Sequence, residues 1–246
     1  MEAVYKTSEN IRAFDVDANN RLKVSTLFDY FQNAASKHAE HLNVGFTDLI
    51  PKGLLWVLSW VKMEVINYPK FLDQVKIQTW GKSQYKLYSM RDFLLFNSND
   101  EVLCRGTTAW LLLDSKTLRP KILTQIFPEV MLNGEKSALD EYPVKINNID
   151  SKEIVFSKKI NYTDIDLNKH VNNAKYVEYI LDCYDQDFHK YHIIKSLTIS
   201  FLTETKFNHE LEFYKSSLTI ENGYDYIEAK NLITDKDVFK AAIEWR

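Results

Sequence analysis

The chain has only two cysteines in 246 residues, and Cys104 and Cys183 fall in the apolar patterns of an expected strand and an expected helix. Neither has the spacing of a metal-ligand set, and each reads as a reduced core residue rather than half of a disulfide. No stretch approaches the roughly 18 uncharged apolar residues that a membrane helix requires. The first residues, Met-Glu-Ala-Val-Tyr-Lys, show no basic segment followed by an apolar run. A cytoplasmic protein without membrane association is expected. Charge of one sign is not in excess either: the net charge is −3 at pH 7, and the 31 basic residues are scattered rather than striped along one element. That distribution argues against nucleic acid as a ligand. Apolar and aromatic side chains are plentiful, at 45% and 13% of residues, enough for one large or two small cores.

The polar groups of interest concentrate in Asp166-Leu167-Asn168-Lys169-His170-Val171-Asn172-Asn173, which sets a carboxylate, an amide and an imidazole at alternate positions before a helical pattern. The frame recurs in Asp17-Ala18-Asn19-Asn20-Arg21-Leu22, with Asp17 to Asp166 and Asn19 to Asn168 both 149 positions apart, but only the later copy has the histidine. A duplicated module with its polar groups kept in one copy points to one half for chemistry and the other for substrate.

Each half reads as a strand, the acidic loop, one long helix and several strands. In the first, a helix over 25–42 places Leu27, Phe31, Ala34, His38 and Leu42 on one face. Strands follow at 55–66, 75–80, 85–96 and 102–114, broken by Pro69, Gly81 and the turn at 97–100. In the second, a helix over 172–184 turns Tyr176, Val177, Ile180, Leu181 and Tyr184 inward, with strands at 193–202, 210–220, 224–234 and 238–245. Between them, 119–152 carries Pro120, Pro128, Gly134 and Pro143 and reads as a crossing segment. The expected organisation is a first domain over 1–125, a linker over 126–150 and a second domain over 151–246. The fold class is α+β, with one helix wrapped by an antiparallel sheet twice over, a tandem (double) hot dog. Past the helices the halves align again, with Lys70 matching Lys206 at an offset of 136.

Hydrolysis at a carbonyl needs that carbonyl polarised, a water activated and the oxyanion stabilised. The start of the second helix offers the backbone N–H groups of Val171, Asn172 and Asn173 and a positive dipole end beside His170. Asn168 and His170 can hold the water or the carbonyl, with Asp166 fixing their orientation. In isolation, His170 reads more readily as a solvated or capping residue and the two asparagines as ordinary N-caps, and the repeated frame with the resemblance below reverses that. His38 and His41 stand three apart on a helix with no carboxylate or cysteine beside them, so packing of His38 is expected rather than a metal. Trp56, Trp60, Trp80 and Trp110 suit a core and an acyl cavity alike. No cofactor motif is read.

Several strings together resemble one family. They are Phe31-Gln-Asn-Ala-Ala-Ser-Lys-His38, Trp56-Val-Leu-Ser-Trp-Val with Tyr68-Pro69, Asp73-Gln-Val-Lys-Ile-Gln-Thr-Trp80, Met90-Arg91-Asp92, and Ala109-Trp110 through Arg119. The most diagnostic is Asp166-x-Asn168-x-His170-Val-Asn-Asn-x-Lys-Tyr176. Over nearly its whole length the chain resembles the acyl-acyl-carrier-protein thioesterases of plant plastids and some bacteria. The resemblance implies hydrolysis of the thioester joining a fatty acyl chain to acyl carrier protein, an acyl tunnel in the N-terminal half, and a catalytic glutamate matching Glu204. Many plant members carry a cysteine immediately after that glutamate; this chain has Thr205, so a covalent cysteine mechanism does not carry over and direct attack by water is expected.

An acidic carrier protein calls for a basic docking surface, for which Arg119, Lys121, Lys169 and Lys175 are candidates, although exposed lysines usually only solvate a face. Two rivals stand beside this reading: a hot dog acyl-coenzyme A thioesterase, and a non-catalytic acyl-binding or regulatory module. Monomer and homodimer are both compatible with a tandem chain.

Overall fold

The computed structural model describes residues 2–146, 151–216 and 224–246. The chain divides into two compact units, Met1–Pro143 and Val144–Arg246.

The first unit runs β1 (Tyr5–Asn10), α1 (Val24–His41), α2 (Phe46–Leu49), β2 (Leu54–Val65), β3 (Gln74–Tyr85), β4 (Tyr88–Phe96), β5 (Val102–Asp114), β6 (Pro120–Lys121) and α3 (Leu123–Ile126). Its strands are antiparallel in the order β1-β3-β4-β5-β2, with β6 added to β5. The apolar face read from the sequence packs inward: Leu27, Phe31, Ala34 and His38 are buried on α1, and the Phe31 ring stacks on Phe93 of β4 at 4.7 Å. Burying each such large side chain stabilises by about 1.5–3 kcal/mol.

The second unit repeats the plan as β7 (Lys152–Lys159), α4 (Asn173–Leu181), α5 (Gln186–Tyr191), β8 (Ile194–Phe201), β9 (Glu210–Ser216), β10 (Tyr224–Asn231) and β11 (Lys236–Trp245). Its order, β7-β9-β10-β11-β8, reproduces that of the first unit strand for strand. Tyr176 and Tyr179 of α4 meet Phe239 and Phe213 of the sheet. Each unit is a helix wrapped by an antiparallel sheet, the tandem hot dog expected.

Three local differences have physical causes. The helix expected over 172–184 ends at Leu181 and restarts as α5, because the Asp185 side chain caps a new helix by accepting from Phe188 N–H at 2.7 Å. Gly81, read as a breaker, lies inside β3, where a Cβ would come within 2.8 Å of Leu132. Leu132 belongs to a segment that lies against the first sheet: Trp80 donates to Lys136 C=O at 2.9 Å, and Ala138 N–H donates to Asp92 at 2.7 Å. The boundary between units thus falls inside the stretch expected as a linker; of that stretch 147–150, and of the strand expected over 210–220 its end at 217–220, lie outside the described residues. Cys104 and Cys183 are free thiols, and burial pushes both upward in pKa. No helix among the described residues is long and apolar enough to cross a membrane.

Candidate active site

The acidic loop of the second unit is a closed turn built by Asp166. Its Oδ1 accepts Asn168 N–H at 2.8 Å, its own N–H donates to His170 C=O at 2.9 Å, and Lys169 takes a left-handed conformation at φ 64° to complete the reversal. Asn168 Nδ2 leans back to Asp166 Oδ2 at 3.4 Å. The first unit builds the same turn: Asp17 Oδ1 accepts Asn19 N–H at 2.8 Å and Arg21 N–H at 2.9 Å, and Asn20 takes φ 57°.

The loop is then tied to a distant turn. Val171 N–H donates to Thr205 C=O at 2.9 Å, and since these residues directly follow His170 and Glu204, the bond sets those two side chains beside one another. His170 Nε2 stands 3.2 Å from Glu204 Oε2, and Lys206 Nζ stands 3.4 Å from Glu204 Oε1. The side chains of His170 and Glu204 are 30% and 55% exposed. A pair so open to water stabilises a fold by about 0–1 kcal/mol at most, so stability does not account for the arrangement. In the first unit Leu22 N–H donates to Pro69 C=O at 2.8 Å, but Arg21 and Tyr68 occupy the places of His170 and Glu204. The scaffold is duplicated; the acid–base pair is not.

Two residues that the sequence reading passed over complete the corner. Lys206 adds the cation beside Glu204. Tyr176, buried on α4, has its phenol held above the ordinary range, by burial first and then by the carboxylates of Asp166 and Glu204, against the opposing Thr205 hydroxyl. The offset of 136 pointed to Lys206, and Tyr176 ended the diagnostic string.

The expected oxyanion donors require a correction. Val171 N–H is spent on Thr205 C=O, and Asn172 N–H on Asp164 C=O at 3.0 Å; Asn172 instead serves as N-cap, its side chain accepting Ala174 N–H at 2.9 Å. Backbone pairing consumes donors that a free helix end would offer. Asn173 begins α4 beside them.

The four tryptophans separate. A narrow apolar cleft in the first unit is lined by Phe28, Phe31, Leu58, Met63, Phe93 and Trp110, among others. Trp110 is thus the member of the four at the cleft. Trp56 packs instead against the cluster of Leu42, Leu54 and Leu112, Trp60 against Met90 and Ala109, and Trp80 lies under Lys136. A bulge between Leu58 and Trp60 turns Trp60 to the other side of β2.

Among the basic candidates, Lys169 is exposed in the loop itself, Lys175 is paired with Glu178 at 2.8 Å, and Arg119 and Lys121 are exposed around β6. Among the described residues, no group of three or more His, Cys, Asp or Glu is placed to hold a metal ion.

The family model of the acyl-ACP thioesterase N-terminal domain matches residues 2–131, and that of the C-terminal domain matches residues 147–246. The chain belongs to the acyl-ACP thioesterase family. It is 26% identical over 261 residues to the chloroplastic acyl-[acyl-carrier-protein] hydrolase FATB2 of Cuphea viscosissima, covering 99% of this chain and 63% of that protein. To the chloroplastic palmitoyl-acyl carrier protein thioesterase of Arabidopsis thaliana it is 28% identical, covering 96% and 58%. The chain therefore spans less than two thirds of the length of these relatives. Among solved structures, the acyl-ACP thioesterase of Bacteroides thetaiotaomicron superposes with a TM-score of 0.88 at 23% identity, covering 99% of this chain and 98% of that one. The 12:0-ACP thioesterase of Umbellularia californica superposes with a TM-score of 0.80 at 22% identity, covering 100% and 98%. These two share the fold of this family member.

Proposed function

We propose that the chain hydrolyses the thioester between a fatty acyl chain and the phosphopantetheine arm of acyl carrier protein, releasing the free fatty acid. The reading is carried by the 3.2 Å approach of His170 to Glu204 in a solvent-reachable corner of a family member. Glu204 takes a proton from water as the water oxygen attacks the thioester carbonyl carbon. The tetrahedral oxyanion then collapses, the C–S bond breaks, and the thiol leaves with the proton that Glu204 returns. His170 orients Glu204 and the water. Asn168 Nδ2, steadied by Asp166, donates to the developing oxyanion, a role left to a side chain because the Val171 and Asn172 N–H groups are engaged elsewhere. Asn173 contributes through the positive end of α4. Thr205 forms no covalent intermediate.

The acyl chain is assigned to the cleft of the first unit, whose lining of Phe28, Phe31, Phe93 and Trp110 suits a hydrocarbon. Carrier docking is assigned to exposed Lys169 in the second unit and to exposed Arg119 and Lys121 in the first, while Lys175 is already engaged with Glu178 and Lys206 with Glu204. Cytoplasmic residence belongs to the same proposal and is supported by the two free thiols.

The test is thiol release across acyl carrier protein substrates from medium to long chains, with matched acyl-coenzyme A substrates in parallel. Faster turnover of the carrier-bound series supports the reading. Preference for coenzyme A transfers the activity to the first rival, and no thiol release from any substrate leaves the acyl-binding module.

A further inference from the structure

The turn that carries Glu204 closes on His209. His209 N–H donates to Lys206 C=O at 3.1 Å, and Lys206 N–H returns to His209 Nδ1 at 3.3 Å. A second group reaches the same ring nitrogen, since Asn231 Nδ2 stands 2.7 Å from it. The orientation of that fully buried amide is fixed, because Asn231 Oδ1 accepts the N–H groups of Ile233 and Thr234 at 3.0 and 3.2 Å. With two donors aimed at Nδ1, that nitrogen carries the lone pair, and the proton of the neutral ring sits on Nε2.

The first unit shows what the position does. Asp73 stands 136 residues before His209; its N–H donates to Lys70 C=O at 3.1 Å, and its Oδ2 accepts Lys70 N–H at 2.8 Å. The two turns also dock alike, as Ile11 N–H donates to Asp73 C=O and Ile160 N–H to His209 C=O, each at 2.9 Å. The unit lacking the acid–base pair closes its turn with a carboxylate; the unit holding it uses an imidazole tied to a buried amide.

We propose that His209 is a positioning residue for Glu204: its neutral Nδ1, accepting from Lys206 N–H and Asn231 Nδ2, clamps the 204–209 turn and keeps the carboxylate in reach of His170. The inference rests on the reading of Glu204 as the base. His209 acts through the turn, because the hydrogen bonds its Nδ1 receives among the described residues come from the Lys206 backbone and Asn231.

The experiment compares wild type, His209→Ala and His209→Asp on an acyl carrier protein substrate, resolving kcat from KM, and records the nitrogen NMR signals of the wild-type imidazole. His209→Ala is expected to lose about 10- to 100-fold in kcat with KM nearly unchanged, the scale set by misplacing one reacting group. His209→Asp, which restores the acceptor used in the first unit, recovers most of that loss, and the wild-type ring shows Nδ1 without a proton. Wild-type kcat in His209→Ala overturns the proposal. Equal impairment of both variants at unchanged melting temperature overturns it too, as does a proton found on Nδ1. A wild type that releases no thiol sinks the hydrolytic reading instead, and the NMR signals still decide whether His209 closes the turn as described.

Discussion

His170 Nε2 and Glu204 Oε2 lie 3.2 Å apart because the residues that follow them, Val171 and Thr205, share a backbone hydrogen bond. A contact set by the main chain does not need the side chains for its stability. His170→Ala is therefore expected to lower kcat about 10²- to 10⁴-fold while leaving the melting temperature in place. Circular dichroism melts alongside thiol-release kinetics check this; a large loss of stability would make His170 a structural residue.

The duplicated loops permit a paired comparison. Asp17→Ala removes the acceptor of the Asn19 and Arg21 N–H groups and Asp166→Ala that of the Asn168 N–H, each at an expected cost of about 1–3 kcal/mol. Asp166→Ala alone should also slow hydrolysis at saturating substrate, through misoriented Asn168. Urea unfolding and kcat measured on both variants separate the two effects, and equal loss of kcat in both would contradict the division of labour between the halves.

Stability should fall on the acid side because of His38. Burial and the Arg91 guanidinium, whose nitrogen lies 3.0 Å from His38 Nδ1, push this imidazole down from 6.5 to about 4. Between those values the unfolded chain binds the proton and the folded chain does not. The contribution is complete above pH ~6.5 and is lost as pH falls towards ~4, amounting to roughly 3 kcal/mol. Urea midpoints across this range should decline more steeply in wild type than in His38→Asn; parallel declines would remove His38 as the cause.

Gly106 should help set the acyl chain that the cleft accepts. A Cβ there would come within 3.0 Å of the Phe31 ring, which stacks on Phe93 in the cleft wall. Gly106→Ala drives Phe31 into the space assigned to the acyl chain, so preference should move to shorter substrates, whereas Phe93→Leu should move it to longer ones. Product profiles by gas chromatography read the shift. Unchanged profiles in both variants would assign the acyl chain elsewhere.

Much of this was legible in the sequence. The face of α1 followed from residues recurring at threes and fours, and the paired turns from the offset of 149, because both depend on local periodicity. Pairing across 34 residues between His170 and Glu204 came through family resemblance, since nothing local to Glu204 marks it. What escaped depends on tertiary detail. The bulge before Trp60 reverses which side chains face the cleft, and no pattern of residue types announces it. The N–H groups of Val171 and Asn172 resemble free helix-end donors until the carbonyls of Thr205 and Asp164 are seen to occupy them. His209 also escaped, although Asp73 at the same offset holds the same acceptor position.

The most direct measurement is the kcat of Glu204→Gln beside wild type on one acyl carrier protein substrate, with folding verified by melting. The glutamine keeps the shape and removes the base, and a loss of about 10²- to 10⁴-fold is predicted. Turnover equal to wild type would contradict the assignment of Glu204 as the group that activates water.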